Sequence, residues 1–326
     1  MPKHEQTLMH RRRERVAQGT FRNTGAVDGY DASSAGTASV SASLQPVRLY
    51  AVAFFDGFTL EHINGGAGAT LRVRHGGDGS PVVLLHGHPR THATWHMVAA
   101  RLAGCHTVVC PDLRGYGESS TVGPYTKRAM AGDIVGVMRT LGYERYAVVG
   151  HDRGAYVATR LGLAHPSAVE RLVILESMPL VERLERMDWR FALSWWHWWF
   201  FGQLDKPAES VINADPDGWY RATPEQMGED AYNDLRRALH DPAVVHAMLE
   251  DYRAGLREDR EDEKTDRAAG RQITCPLLVI SLLQDDPELD YGVDLLEIWR
   301  AWATNVRGGG NRLRSPRRRG ETGRAR

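Results

Sequence analysis

The fold of this chain is decided by residues 148–155, which read VVGHDRGA. An apolar, strand-like run ends here in glycine and passes directly into a segment with helical character. Gly150 and Gly154 permit the sharp strand-to-helix turn that lifts one side chain, Asp152, clear of a sheet. The motif therefore predicts a nucleophile at this turn, with a carboxylate where serine is common. The alternative is a glycine-rich turn whose aspartate only caps the helix.

A carboxylate at this position predicts a different chemistry from that of serine. Serine must lose a proton before it attacks, whereas an unperturbed aspartate has a pKa of about 3.9 and is an anion at neutral pH. Such an oxygen can displace a leaving group from a saturated carbon. The sequence thus predicts an enzyme ester on Asp152.

A second apolar run, PVVLL at residues 81–85, leads into His86-Gly87-His88-Pro89. It is typical of a buried parallel strand followed by a tight loop. A loop of this kind beside a nucleophile turn supplies a backbone N–H for a developing oxyanion, together with the N–H that follows the nucleophile. The expected donors are the amides of His88 and Arg153, and the alternative is a plain Gly-Pro turn.

Composition is typical of a globular protein. The chain has 326 residues, 42% hydrophobic and 25% charged, and a formal net charge of zero, which gives no global reason to expect nucleic acid or a membrane surface as partner. Cys105, Cys110 and Cys275 show neither metal nor disulfide spacing. No apolar run reaches transmembrane length, and the basic start lacks the apolar core of a secretion signal. We expect a cytoplasmic protein.

Repeated alternation of strand and helix patterns predicts an α/β fold, with a mainly parallel, doubly wound sheet and an inserted helical cap. Strand patterns cover residues 71–75, 82–85, 107–110, 146–149, 172–175 and 277–283, and helical patterns include 95–102, 127–141 and 291–303. The predicted divisions are a disordered extension at 1–48, core at 49–178, cap at 179–270, core again at 271–307 and an aberrant arginine-rich tail at 308–326.

Five motifs together resemble the haloacetate (fluoroacetate) dehalogenases of the α/β-hydrolase fold, over about residues 55–307. They are His86-Gly87-His88-Pro89, Asp112-Leu113-Arg114-Gly115-Tyr116-Gly117, Gly150-His151-Asp152-Arg153-Gly154, Trp196-His197-Trp198 and Asp251-Tyr252-Arg253-Ala254. The resemblance implies that Asp152 attacks the halogen-bearing carbon. It also implies that Arg153 pairs with the substrate carboxylate at two points, as a forked guanidinium can.

By the same resemblance, His197, Trp198 and Tyr252 would donate hydrogen bonds to the leaving halide. The alternative for this aromatic segment is a packed cap core. Glu176 takes the place of the acid of the catalytic triad, with Asp285 and Asp286 as rivals after the next strand.

Asp112 and Arg114 are expected to brace the loop that follows their strand. The resemblance implies a small-molecule substrate and water, no metal or organic cofactor, and a possible homodimer.

Two departures from the family pattern matter. Tyr156 stands where a second carboxylate-binding arginine is common, which favours larger haloacids or an epoxide over fluoroacetate. The general-base histidine expected near the last strand is missing, because no histidine follows His246. We hypothesise a frameshift near Gly310, where another reading frame permits a Gly-His segment; the nucleotide sequence tests this. The last strand and a final covering helix are then expected to be missing, and the Asp152 ester to persist.

Three functions remain open at this stage. The first is hydrolytic dehalogenation of a small haloacid. The second is epoxide hydrolysis, in which Tyr252, with Tyr220 or Tyr232 as partner, would protonate the epoxide oxygen. The third is a catalytically inactive, ligand-binding member of the same fold, favoured by the missing histidine.

Overall fold

The computed structural model describes residues 54–66, 68–280 and 294–309. Its centre is an eight-stranded sheet with the order β1-β2-β4-β3-β5-β6-β7-β8. The strands are β1 Thr59–Asn64, β2 Thr70–Gly76, β3 Ser80–Leu85, β4 His106–Pro111, β5 Tyr146–His151, β6 Val169–Leu175, β7 Leu277–Ile280 and β8 Val306–Gly309. Strands β1, β2 and β4 pair antiparallel, and all other neighbours pair parallel. The predicted mainly parallel α/β architecture is confirmed.

Helices connect these strands. They are α1 His96–Leu102, α2 Lys127–Thr140, α3 Arg153–Ala164, α4 Leu180–Glu185, α5 Trp189–Ser194, α6 His197–Phe201, α7 Pro207–Ala214, α8 Pro216–Tyr220, α9 Pro224–Met227, α10 Glu229–Leu239, α11 Pro242–Ala254, α12 Arg260–Ala268 and α13 Leu295–Trp302. A short 3₁₀ helix, His92–Trp95, precedes α1, and a π-helical turn, Gly255–Asp259, joins α11 to α12. No helix of the described ranges is long and apolar enough to cross a bilayer.

Both faces of the sheet are covered, as the apolar run of β3 predicts. Val83 and Leu85 belong to the larger hydrophobic cluster, with side chains of α2, α3 and α13. Val82 and Leu84 belong to a second cluster on the opposite face, which Trp95 and Ala99 complete. Since side chains alternate along a strand, every position of such a buried strand is apolar.

Strand prediction was correct in the centre of the sheet and incomplete at its edges. All six predicted segments overlap strands, although residues 281–283 lie outside the described ranges. Strand β1 was missed because five of its six side chains are exposed, so it carries no apolar alternation. The expectation that the last strand is missing was wrong: Val306–Gly309 forms β8, and Val306 pairs with Leu277. This strand extends two residues into the segment that had been assigned to the tail.

Between β6 and β7 the chain is helical, and this stretch is described throughout. Four of its helices, α7, α8, α9 and α11, begin with proline, which is preorganised for the first helical turn and lacks the N–H that would be unpaired there. Helical residues therefore replace strands over the range predicted for the cap, 179–270. The predicted extension at 1–48 and the tail beyond Gly309 lie outside the described residues.

The two ends of this helical insertion are joined through buried acidic side chains. Glu263 on α12 accepts a hydrogen bond from the backbone N–H of Val181 on α4, at 2.8 Å from Oε2. Nearby, Asp266 pairs with Arg160 of α3 at 2.5 Å. Burial of Glu263 raises its pKa to about 8, against its unperturbed 4.5. Between these two pH values, the folded protein therefore keeps a proton on Glu263 that the unfolded chain would release.

This difference predicts a pH-dependent stability. A carboxyl group whose folded pKa is raised contributes stability below its unfolded pKa of 4.5, and that contribution is lost as the pH rises through about 8. Glu263→Gln keeps an acceptor for Val181 but cannot ionise. As the pH rises from 5 to 8.5, we expect the melting temperature of both proteins to fall. The fall in Glu263→Gln should be smaller than that in the wild type by about 2–4 °C. Calorimetry measures this.

The control is Glu261→Gln, on the same helix, because the side chain of Glu261 is 62% exposed. It should follow the wild-type curve. A Glu263→Gln curve parallel to that of the wild type would contradict the prediction.

Candidate active site

Asp152 lies at a strained turn between β5 and α3. Its backbone has φ 51° and ψ −116°, a conformation that non-glycine residues rarely adopt. A Cβ atom on Gly150 would lie 2.5 Å from the carbonyl oxygen of Gly154, and a Cβ on Gly154 would lie 2.4 Å from that of His86. The turn therefore requires both glycines. The side chain of Asp152 makes no capping hydrogen bond to α3, so the helix-capping alternative was wrong.

The carboxylate of Asp152 is held by the loop after β3. The backbone N–H of His88 donates to Asp152 Oδ1 at 2.9 Å. A Cβ atom on Gly87 would lie 2.5 Å from the same oxygen, which explains why this position has no side chain. Of the two amide donors expected from the sequence, that of His88 thus lies against the carboxylate. The amide of Arg153 makes no hydrogen bond to it within the described structure.

Arg153 is buried and already committed to a protein acceptor. It is 1% exposed, and its Nε and Nη2 donate to Oδ2 and to the carbonyl oxygen of Asp251 at 2.8 and 2.7 Å. Its guanidinium carbon lies 4.2 Å from the ring centre of Tyr252, and a Cβ on Gly255 would lie 3.1 Å from Nη2. Nη1 is buried and has no hydrogen-bond partner among the described residues. Because Nε and Nη2 both donate to Asp251, the two-point pairing of Arg153 with a substrate carboxylate that the sequence predicted is corrected: only Nη1 is unoccupied within the described structure.

Asp251 is the centre of a buried polar cluster. The hydroxyl of Tyr116 donates to its Oδ2 at 2.7 Å, and the Lys127 ammonium contacts Oδ1. Burial would raise the pKa of Asp251, but the charges of Arg153 and Lys127 outweigh it and hold the pKa below its ordinary value. Asp251 is therefore an anion that two cations share. Sequence reasoning quoted Asp251 in a motif and gave neither it nor Lys127 a role.

The three predicted leaving-group donors converge on this cluster. His197 and Trp198 of α6 lie 6.1 and 5.7 Å, ring centre to ring centre, from Tyr252 of α11. Burial lowers the pKa of His197 to about 4, an effect that Arg153 increases and the charge of Asp152 opposes. Burial and the charge of Asp152 raise the pKa of Tyr252 well above 10.0. At neutral pH both side chains are therefore neutral hydrogen-bond donors.

Glu176 lies at the same edge of the sheet as Asp152. It directly follows β6, has φ 56°, and its N–H donates to Ile280 at the end of β7 at 3.0 Å. The N–H of Asp152 in turn donates to Leu175 at 3.3 Å. Glu176 thus follows β6, the strand that pairs with β5, and Asp152 follows β5. Its rivals Asp285 and Asp286 lie outside the described residues.

The tyrosine partners differ in position. The Tyr220 hydroxyl and His88 Nε2 are 3.3 Å apart, which places Tyr220 at the site. Tyr232 lies on α10 and makes no hydrogen bond to His88 or Tyr252 within the described residues. The imidazole of His88 was missed, since sequence reasoning used only its amide.

Asp112 and Arg114 brace their loop, as expected. Asp112 accepts from the backbone N–H and from Nδ1 of His92 at 2.6 and 2.9 Å, and Arg114 pairs with Asp133 at 2.6 Å. These groups are buried, and no contact with Asp152 is present within the described residues.

A second acidic group lies on the helical insertion. One ligand atom each of Glu209, His246 and Glu250 lies within 4.8 Å of the others, as a metal site requires. Arg253, however, donates to Glu209 and Glu250 at 2.6 and 3.0 Å, and Lys206 pairs with Glu250 at 3.0 Å. These cations already balance both carboxylates, so the cluster fits an ion-pair network that joins α7 to α11.

Comparison with known proteins identifies the family to which this fold belongs. A family model described as alpha/beta hydrolase fold matches residues 80–229. A fluoroacetate dehalogenase from Burkholderia sp is 40% identical over 241 residues, which are 70% of this chain and 78% of that protein. The chain belongs to the α/β-hydrolase family.

Other members of the α/β-hydrolase family are also similar to this chain. A soluble epoxide hydrolase from Corynebacterium sp. (strain C12) is 31% identical over 72% of this chain and 82% of that protein. The solved structure of a putative epoxide hydrolase from Pseudomonas aeruginosa is 43% identical, with a TM-score of 0.72, over 78% of this chain and 88% of that one. These relatives support hydrolase activity and do not choose between the two chemistries.

The close approach at Gly87 predicts the effect of one methyl group. In this α/β hydrolase, Gly87→Ala forces a Cβ into the space of Asp152 Oδ1 and displaces the carboxylate from the His88 amide. We expect alkylation of Asp152 by a small alkyl halide to slow at least about 10-fold, because the carboxylate loses the fixed position from which it would attack. Mass spectrometry of the Asp152 peptide over time measures this.

Gly104→Ala is the matched control, since a Cβ there meets nothing within 4 Å. It should alkylate at the wild-type rate. Wild-type kinetics in Gly87→Ala would contradict the geometry.

Proposed function

We propose that this protein displaces halide from a small haloacid of the haloacetate type. An oxygen of Asp152 forms a bond to the carbon, the carbon–halogen bond breaks, and the halide leaves with the bonding electrons. The product on the protein is an ester, which water cleaves in a second step. The strained turn and the His88 amide support this role, because they hold one carboxylate oxygen and leave the other to attack.

The proposal that the substrate is an acid rests on Nη1 of Arg153, which is buried and has no hydrogen-bond partner among the described residues. The guanidinium is permanently charged, and a buried donor on a charged group is costly when it has no acceptor. A substrate carboxylate beside Asp152 would supply that acceptor. Asp251 does not neutralise the region by itself, because Lys127 also pairs with it.

The leaving group would depart among neutral donors. His197 and the Tyr252 hydroxyl can each donate a hydrogen bond to a developing halide, and Trp198 adds an indole N–H from the same aromatic group. Fluoride needs such donors most, since it concentrates its charge in the smallest volume. Neutral donors also avoid pairing with the nucleophile, which a charged imidazole would attract.

The second chemical step needs a base, and the sequence contains no histidine after His246. Glu176 would orient such a base rather than replace it. We therefore expect the chain to release at most about one halide per molecule and to remain esterified at Asp152. Ion chromatography of the halide, with mass spectrometry of the Asp152 peptide after exposure to fluoroacetate, measures both quantities.

Asp152→Asn should abolish halide release and the mass increase together. Continuous turnover without any adduct would contradict the expected stoichiometry, and halide release by Asp152→Asn would contradict the nucleophile.

Recognition of the substrate carboxylate is tested with an uncharged isostere of the substrate. Fluoroacetamide has nearly the shape of fluoroacetate but no charge. We expect wild-type protein to prefer fluoroacetate, and Arg153→Met to lose this preference by about 10-fold or more, because a charge-assisted hydrogen bond disappears. The ratio of the two halide-release rates measures the effect.

The fluoroacetamide rate serves as an internal control, because damage to the fold lowers both rates. An unchanged ratio in Arg153→Met would refute acid recognition by this residue.

Epoxide hydrolysis is the second candidate, and one contact favours it. Tyr220 contacts His88 and Tyr252 lies near Asp152, so two phenol hydroxyls could serve one epoxide oxygen. Similar proteins named for epoxide hydrolysis add support. Diol formation from an epoxide, compared with halide release from a haloacid by the same preparation, separates the two functions.

A further inference from the structure

We propose that the imidazole of His88 donates a hydrogen bond to the departing halogen, as a further leaving-group donor beside His197 and Tyr252. This role rests on the proposed displacement by Asp152. It gives the His88 imidazole a catalytic contact, whereas the proposed displacement involves only the backbone N–H of His88.

The position of His88 brings its ring to the reacting carbon. Its backbone N–H holds Asp152 Oδ1 at 2.9 Å, so its Cα lies next to the nucleophile. Its ring centre lies 5.1 Å from that of Tyr252 and 5.5 Å from that of Phe201. His197 contacts the same two rings, at 6.1 and 5.5 Å. The two imidazoles therefore flank one aromatic pair at the place where the leaving group departs.

The hydrogen bond to Tyr220 fixes which nitrogen of His88 carries the proton. The Tyr220 hydroxyl and His88 Nε2 are 3.3 Å apart, and the described residues offer this hydroxyl no other acceptor. When Tyr220 donates, Nε2 is the acceptor and Nδ1 carries the hydrogen. The opposite arrangement would leave both the hydroxyl and Nδ1 unsatisfied, so it costs more.

The Nδ1–H group then needs an acceptor. Nδ1 is buried and has no partner within the described part of the chain. An unpaired buried donor is unfavourable in the resting protein and is satisfied when charge develops on a neighbouring atom. A halogen that leaves from the carbon above Asp152 supplies such a charge.

The protonation state of His88 agrees with a donor role. Burial lowers its pKa to about 3, and the charge of Arg153 acts in the same direction against the attraction of Asp152. The ring is therefore neutral at neutral pH. A neutral imidazole can donate through N–H without forming an ion pair with the nucleophile. No proton is transferred in this step, because the halide leaves as an anion.

The test compares two leaving groups that differ in their need for hydrogen bonds. His88→Phe keeps an aromatic ring and removes both nitrogens. We expect it to slow the fluoride burst from fluoroacetate about 10–100-fold, and the bromide burst from bromoacetate less than about 3-fold. Rapid mixing with halide detection measures both bursts, and Asp152→Asn gives the background from reaction with other side chains.

Two further variants separate donation from packing. His88→Gln restores an N–H at this position and should recover part of the fluoride rate. His96→Phe is the control, since His96 lies on α1, hydrogen-bonds Ala93 and contacts Phe54, away from Asp152. It should leave both bursts unchanged.

The outcomes are distinct. Equal slowing of fluoride and bromide in His88→Phe, or no slowing, would overturn the role of His88 as a donor. If the wild type gave neither halide nor an Asp152 adduct, the displacement itself would fail, and the role of His88 with it.

Discussion

The buried pair of Asp251 and Arg153 is the interaction on which the rest of the site depends. Arg153 follows the nucleophile on the core, and Asp251 lies on the last long helix of the insertion. Their hydrogen bonds therefore fix the insertion to the turn that carries Asp152. A buried ion pair of this kind is expensive to form, because both groups lose their water. Its cost is offset by a full set of partners for Asp251, to which Tyr116 and Lys127 also contribute.

This pair also bears on the proposed reaction, in which one small region would hold both the carboxylate of Asp152 and a substrate carboxylate. Asp152 and a substrate carboxylate would repel each other if no cation lay between them. Arg153 and Lys127 together carry one charge more than Asp251. Asp259 also pairs with Lys127, and its pKa is raised, mainly by burial. The remaining donors, on His88, His197 and Tyr252, are neutral.

The centre of the fold could be predicted from sequence because its signals are local. Apolar runs of the length of β3 and β5 have few other uses, and the glycines around Asp152 leave the backbone few alternatives. The edges could not be predicted in this way: β1 is largely exposed, and β8 has four residues, of which two are glycine. Their place in the sheet comes from pairing with neighbours, which leaves no periodicity in the sequence.

The same distinction holds for the functional site: residues in continuous motifs could be predicted, and contacts between distant segments could not. Asp152 and the His88 amide follow from motifs in continuous sequence, whereas Asp251, the hydrogen-bond partner of Arg153, is 98 residues away in the chain. A resemblance supplied the residues on α6 and α11 but not their connections. The commitment of two guanidinium nitrogens to Asp251 appears only when α11 is placed against α3, because no spacing rule encodes that contact.

The π-helical turn that starts at Gly255 determines how much space the guanidinium of Arg153 has. The widened turn passes so close to Arg153 that a single added carbon would come within 3.1 Å of Nη2. A larger residue at position 255 would therefore tilt the guanidinium of Arg153 and, in the proposed reaction, change its fit to the substrate carboxylate, although residue 255 itself would not contact the substrate.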